Sequence, residues 1–356
     1  MTYINPPAKV LRHADRIALL QVNEIPFPVN VEVDISGRCW LGCEFCHFGY
    51  THTRGPLAVV QEGVEETGDL MDVSLFDRFV GEMKECGVKS ITFTGGGDPL
   101  THPDFADFIW VVDDHNLRCG VYTSAVGLKT ETICAIRCFC DWVVISLDES
   151  DQESYKKLKK VDAFDRACDG VLTLTEDRDE DSQLVVGSSF LLNENNIHKI
   201  PEMLKLHEQL KTDYVLFRPT IRYDLKNPSK MVEDPYDWCN KAIQDLWTLR
   251  SQGRKDIEFS DSKFDRYRHW ERNYPECVAN LLTGVVTPNG KMWACVNRRG
   301  FPGSCIGDLS KDSFREVWSR QKRRSDYDQC RVACRGDEIN VALTPLLQKT
   351  IHEEFI

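Results

Sequence analysis

Residues 36–50 read Ser-Gly-Arg-Cys-Trp-Leu-Gly-Cys-Glu-Phe-Cys-His-Phe-Gly-Tyr, which puts Cys39, Cys43 and Cys46 in a C-x3-C-x2-C spacing. Thiolates are the usual protein ligands of iron–sulfur clusters. Three of them on a [4Fe–4S] cube leave the fourth iron without a protein ligand. An open iron can take a small chelating molecule, so such a cluster can do chemistry as well as carry electrons. The same spacing would also set three small apolar side chains on one face of a helix. Gly37 and Gly42 weigh against the helix, because each glycine costs about 1 kcal/mol in a helix interior. Glycine suits a loop that wraps closely around a ligand.

A second stretch, Thr94-Gly95-Gly96-Gly97-Asp98-Pro99-Leu100, follows the run Ile91-Thr92-Phe93 directly. Three glycines and a proline after a strand can be a simple turn. They also let backbone groups approach a ligand closely. A third feature is the late cysteine set, Cys277, Cys295, Cys330 and Cys334, with Cys305 as a spare. Four such thiols could hold a structural zinc. The remaining cysteines, Cys86, Cys119, Cys134, Cys138, Cys140, Cys168 and Cys239, read as core residues.

The elements that must position these groups follow from periodicity. A strand, Val29 to Ile35, runs into the first cysteine loop. Residues 51–72 are polar and too long for a tight strand-to-helix turn, as insertions that cover a site often are. Ser74 with Asp77 reads as a helix cap, and Phe76, Phe79, Val80 and Met83 form one apolar helix face that Gly87 closes. Strands follow at Ser90–Phe93, Cys119–Thr123, Trp142–Leu147, Leu184–Leu191 and Asp213–Phe217. Helices lie between them near 104–115, 131–138, 151–159, 164–176 and 197–210. Six short apolar strands alternating with helices indicate an α/β chain whose parallel sheet is covered by helices. In barrel-like arrays of this kind the active groups lie at the C-terminal ends of the strands. The cysteine loop, the glycine stretch, Ser124, Ser146 and Ser189 all fall there.

The chain has 356 residues, a net charge of −12 and 15 cysteines. No apolar run reaches the ~18 residues of a membrane helix, and the first residues lack the basic and apolar segments of a signal peptide. So many cysteines without an export signal point to metal ligation in a reducing cytoplasm. The acidic balance argues against a broad nucleic-acid footprint.

With both early motifs in this order, the sequence resembles the radical S-adenosylmethionine (SAM) superfamily. Cys39, Cys43 and Cys46 match its cluster loop, Phe45 is the aromatic residue before the last cysteine, and 94–100 matches its Gly-Gly-Glu-Pro-like stretch with Asp98 in place of glutamate. The resemblance implies a partial (βα)6 barrel in which SAM chelates the open iron. Gly95, Gly96, Gly97 and Asp98 would hold the SAM amino group, and Ser146 its carboxylate or ribose, though Ser146 and Asp148 also suit a helix cap. Ser124 and Ser189 are similar candidates, and Asn196 lies at a position that reads equally as a cap. The C-terminal cysteines, with a Pro288-Asn289-Gly290 hairpin turn, resemble the auxiliary-cluster extension called SPASM in its shorter twitch form. That implies a small C-terminal β-hairpin/helix domain holding a second, auxiliary [4Fe–4S] cluster.

The expected organisation is an N-terminal arm (1–28), a core (29–225), a helical connector (226–270), the auxiliary domain (271–340) and a tail (341–356). Reductive cleavage of SAM would give a 5′-deoxyadenosyl radical that abstracts hydrogen from a substrate C–H bond. Electrons would come from a one-electron reductant such as a flavodoxin or ferredoxin. The single auxiliary cluster favours net oxidation of a small molecule in secondary metabolism. Peptide maturation and nucleotide modification are the other enzymatic readings, and a cluster or zinc scaffold is the non-enzymatic one. No histidine or carboxylate stands out as a base, and His47 reads as a neighbour of the loop.

Overall fold

The computed structural model describes residues 3–58, 63–176, 178, 182–220, 223–224, 227–231, 237–266, 272–325, 330 and 334–348. Its strands are β1 (Asn30–Val33), β2 (Ser90–Phe93), β3 (Arg118–Thr123), β4 (Trp142–Ser146), β5 (Val185–Leu192), β6 (Tyr214–Pro219), β7 (Tyr223–Asp224), β8 (Asn227–Met231), β9 (Ile257–Glu258), β10 (Thr283–Val286), β11 (Lys291–Trp293) and β12 (Cys305–Asp308). The helices are α1 (Pro6–Val10), α2 (Ala14–Gln21), α3 (Val73–Glu85), α4 (Phe105–Asp114), α5 (Thr130–Phe139), α6 (Gln152–Lys159), α7 (Phe164–Thr175), α8 (Ile200–Gln209), α9 (Trp238–Ser251), α10 (Asp261–Arg266), α11 (Phe314–Trp318) and α12 (Gly336–Leu347).

Strands β1 to β6 pair in sequence order, each parallel to the next, and make the partial barrel. Strand β9 extends the sheet beyond β6. The C-terminal hairpin does not stand apart from this sheet. Its first strand, β10, pairs parallel with β1, so that β11 and β12 continue the same ten-stranded sheet. A separate ribbon pairs β7 with β8.

Side chains alternate across a strand, and the two faces here have different partners. Val31, Val33, Ile91, Phe93, Val121, Val143, Ile145, Val186, Phe190, Val215 and Phe217 pack outward under the helices in one core. Tyr122, Trp142, Val144, Val185, Tyr214 and Leu216 face inward, where Tyr3 and Ile4 pack against them. Continuing that parity puts Asp34, Ser124, Ser146, Ser189 and Arg218 on the inner side, Ser189 in mid-β5 level with Ser146 and the others at or next to the C-terminal ends of their strands.

Helix α3 buries the expected face, Phe76, Phe79, Val80 and Met83. Its cap is Asp72 rather than Ser74: Leu75 N donates to Asp72 Oδ1 at 2.9 Å, which leaves Ser74 inside the first turn. Two cysteines expected in the core are exposed. Helix α5 buries Thr132, Ala135 and Ile136, and Cys134 and Cys138 lie on its other side. Cys140 is buried against Cys119, sulfur to sulfur at 3.4 Å.

The two chain ends meet. Val10, Ile17 and Leu20 of α1 and α2 pack with Val278, Leu281, Leu282 and Leu343. Helix α12 runs unbroken through residues 340 and 341. The expected helical connector holds α9, which begins at Trp238. Among the described residues no helix is long and apolar enough to cross a membrane.

Candidate active site

The first cysteine loop is clasped from two sides. Gly42 N donates to Lys159 O at 2.8 Å and Glu44 N to Leu158 O at 3.2 Å, so the C-terminal turn of α6 receives the loop's amides. On the other side, Gly97 N donates to Ser36 O at 2.9 Å and Asp98 N to Arg38 O at 2.8 Å. The glycine stretch and the cysteine loop are therefore joined backbone to backbone. Gly97 must be glycine for this: a Cβ there would stand 2.0 Å from Arg38 O.

Within the loop, Cys39, Cys43 and Cys46 are electrostatic neighbours of one another. Burial pushes the Cys39 thiol well up, with Asp98 adding to it. Burial also pushes Cys43 up to about 12, against the pull of the Lys159 ammonium. Leu41 N points at Cys39 Sγ, 3.5 Å away. His52 Nε2 lies 3.7 Å from Cys46 Sγ, and burial lowers this imidazole to about 4, so it is neutral. Three half-buried thiols within electrostatic reach of one another, with Leu41 N beside Cys39 and His52 beside Cys46, suit the thiolate ligands of an iron–sulfur cluster.

Lys159 is the charged support of this loop. Its ammonium is buried, pairs with Asp148, donates to Ser146 O at 3.2 Å and lies 5.1 Å from the Phe45 ring centroid. Asp148 also accepts from Leu191 N at 3.1 Å, and the cap of α6 is Asp151. Ser189 Oγ accepts from Arg218 Nη2 at 3.0 Å. Asp98 binds within the scaffold. Its carboxylate takes Thr123 Oγ1 at 2.7 Å, Leu100 N at 3.0 Å, and both the amide and the hydroxyl of Ser124. Ser124 and Asp98 are thus brought together, tying the end of β2 to that of β3. Asn196 accepts from Asn193 N at 2.8 Å and donates to Leu191 O at 2.9 Å, closing the turn after β5.

A buried charge network lies across the mouth from that support. Arg299 Nη2 is 3.1 Å from Glu32 Oε2, and its Nε is 3.0 Å from Asp34 Oδ2. Its Nη1 donates to Gly95 O at 3.3 Å, and the guanidinium stacks 4.2 Å from the Phe48 ring centroid. Arg335 pairs with the other oxygen of Glu32. Both arginines follow C-terminal cysteines closely, so the second cysteine region is bolted to β1 and to the glycine stretch. Burial raises Asp34 to about 6, against the Arg299 charge.

The second set also converges. Cys334 is an electrostatic neighbour of Cys277, Cys295 and Cys330, and Cys277 and Cys330 each neighbour Cys295. Asn340 Nδ2 donates to Cys277 Sγ at 3.3 Å and Asn297 N to Cys295 Sγ at 3.5 Å. Cys305 packs against the same Val285, Trp293 and Val296 cluster as Cys295, but the groups that act on its thiol are Gly307, Glu65, Lys291 and Asp308 rather than the other thiols. Among the described residues no three Cys, His, Asp or Glu groups gather around a single-ion site.

Sequence reading missed Lys159, His52, Glu32, Asp34, Arg299, Arg335 and Arg218. One signal was available. Glu32 and Asp34 alternate with Val31, Val33 and Ile35 in a strand, and charges in such a strand must find partners when it is buried.

Residues 33–207 match the Radical SAM superfamily. The chain belongs to that superfamily. It is a radical SAM enzyme, and its cofactors are SAM and the radical SAM [4Fe–4S] cluster. Among its relatives is a protein named PqqA peptide cyclase from Gluconobacter oxydans, 22% identical over 302 residues, covering 82% of this chain and 76% of the relative. The subtilosin biosynthesis protein AlbA of Bacillus subtilis is 20% identical over 312 residues, covering 83% of this chain and 61% of its own. Of solved structures, Streptococcus suis SuiB superposes with a TM-score of 0.64 at 17% identity, covering 89% of this chain and 72% of SuiB, which shows a shared fold.

Proposed function

We propose that this radical SAM enzyme modifies a peptide. Cys39, Cys43 and Cys46 hold its SAM cluster, and Cys277, Cys295, Cys330 and Cys334 hold an auxiliary [4Fe–4S] cluster. When bound, cluster and SAM supply one-electron cleavage of the sulfonium and removal of a hydrogen atom from a substrate C–H bond. The protein supplies position and exclusion.

The observation that carries the peptide reading is the naming of relatives that span most of both chains. PqqA peptide cyclase is named for a peptide, and SuiB has been solved with its precursor peptide SuiA. The small-molecule oxidation expected from a single auxiliary cluster has no comparable support. The convergence of the four C-terminal thiols supports the auxiliary cluster, and the different neighbours of Cys305 support four ligands rather than five.

The chain's own residues have definite tasks. Gly97 lets the cysteine loop lie against the SAM-binding stretch. Asp98 locks that stretch to Ser124, and Ser146 and Ser189 line the inner face beside it. Lys159 places a positive charge next to the Cys43 and Phe45 segment. Arg299 fixes the Cys295 segment to Gly95 O, so the two thiol sets keep a constant relation.

The test is anaerobic incubation of the reconstituted protein with SAM, dithionite and synthetic peptides encoded by short reading frames beside its gene. The expected result is 5′-deoxyadenosine together with a peptide that has lost hydrogen by mass spectrometry. Deoxyadenosine formation with no change in any peptide, but with oxidation of a small alcohol, would overturn the peptide reading.

A further inference from the structure

Among the described residues, two of the cations that reach the inner face or its mouth have no carboxylate within ion-pairing distance. Arg299 is matched by Glu32 and Asp34, and Arg335 by Glu32. Arg218 is not matched. It stands on the inner side at the end of β6, bonded to Ser189 Oγ at 3.0 Å and 6.0 Å from the Tyr122 ring centroid. Its Nε is buried with no acceptor among the described residues.

Lys263 is the second spare cation. Strand β9 pairs with β6, and α10 follows it directly, which carries Lys263 to the same rim. Its ammonium neighbours Arg218, Arg335, Glu338 and Cys334, and it has no ion-pair partner among the described residues. Its strongest charged neighbour is Glu338, whose Oε1 accepts from Ser262 Oγ at 2.7 Å and from Ser260 Oγ and whose Oε2 is buried with no hydrogen-bond partner among the described residues. Arg218 therefore touches the predicted SAM side through Ser189, and Lys263 faces the auxiliary side through Cys334. Together they span the space between the two thiol sets.

A buried guanidinium nitrogen with no acceptor is costly, and a guanidinium beside an ammonium is a strong receptor for a planar anion. We propose that Arg218 and Lys263 seat a carboxylate of the substrate peptide and so select peptides that present one next to the reacting carbon. This rests on the peptide reading above. The carboxylate belongs to an Asp or Glu side chain or to the peptide's own C-terminus.

The experiment uses reconstituted holoenzyme with SAM, immobilised without oxygen. It is exposed to two synthetic N-acetylated octapeptide libraries, one ending in a free acid and one amidated. Retained peptides are read by mass spectrometry. We expect acidic peptides to be enriched about tenfold, as one charge-assisted hydrogen-bonded contact provides. Enrichment of Asp and Glu in both libraries assigns a side chain, and retention of the free-acid library alone assigns the C-terminus. Arg218→Gln and Lys263→Gln should each reduce the enrichment. The lysine variant, at a half-buried position, serves if the arginine variant loses its iron. Peptides retained with no acidic preference, or a preference that neither variant weakens, would overturn the carboxylate receptor and leave the peptide reading standing. Retention of no peptide from either library would overturn the peptide reading and the receptor with it.

Discussion

Replacing Lys159 by methionine should unfasten the cysteine loop. The pair it forms with Asp148 is almost wholly buried, with side-chain exposures of 2% and 1%. Methionine keeps the length of the side chain and leaves Asp148 charged with only Leu191 N to answer it. Breaking one side of a buried pair costs about 3–5 kcal/mol, because the remaining charge is uncompensated. Removing both charges is far cheaper, so Lys159→Met combined with Asp148→Asn should return to within about 1 kcal/mol of the parent. Asparagine suits the site, since residue 148 has φ +67° and asparagine tolerates the left-handed region. Burial alone would lower the Lys159 pKa, but Asp148, Cys43 and Tyr155 hold it above the ordinary lysine value. A lysine whose folded pKa is raised gives its full stabilisation below its unfolded pKa of about 10.4. The wild-type pair therefore contributes fully at both pH 7 and pH 9. Urea denaturation of cluster-free protein measures the stability, and iron retention in the reconstituted protein reports the loop. A double variant as damaged as the single one would refute the ion-pair argument.

Other outcomes follow from the same geometry. Asp34 has its folded pKa raised to about 6 by burial, so its ionisation opposes folding. Stability of cluster-free wild type relative to Asp34→Asn should fall by about 2 kcal/mol as pH rises from about 4.5 to 7, and a flat difference in denaturation curves would contradict this. Gly97→Ala should lower iron retention without unfolding the sheet, read by iron analysis and far-ultraviolet circular dichroism, because the added carbon meets Arg38 O at 2.0 Å. Cys305→Ala should keep the full iron and sulfide content, whereas Cys334→Ala should lose the auxiliary share, and equal losses would return Cys305 to the ligand set.

Much of the fold was legible because local signals agreed. Apolar runs marked β2 and β4, and the face Phe76, Phe79, Val80 and Met83 marked α3. The motif residues fell at strand ends, and strand parity then put Ser124, Ser146 and Ser189 inside. What was hidden depends on distant pairing. Glu32 and Asp34 find their cations at Arg299 and Arg335, and no local pattern announces contacts that remote. Lys159 ends a strongly charged helix, where lysine ordinarily faces water, and only the return of the cysteine loop over it makes it a buried support. The pairing of β10 with β1 is likewise non-local, so a hairpin readable from Pro288-Asn289-Gly290 showed its turn but not its place in the sheet. Cys134 and Cys138 illustrate the converse: residue type suggested burial, and helix phase decided against it.

The most direct test of two clusters on two thiol sets is Mössbauer spectroscopy with iron and sulfide analysis, comparing the reconstituted protein with a Cys39→Ala, Cys43→Ala, Cys46→Ala variant. The account predicts about eight irons per chain in the parent and about four in the variant, all of the latter in one four-thiolate [4Fe–4S] cluster. A variant with no iron, or with zinc in place of the remaining cluster, would contradict it.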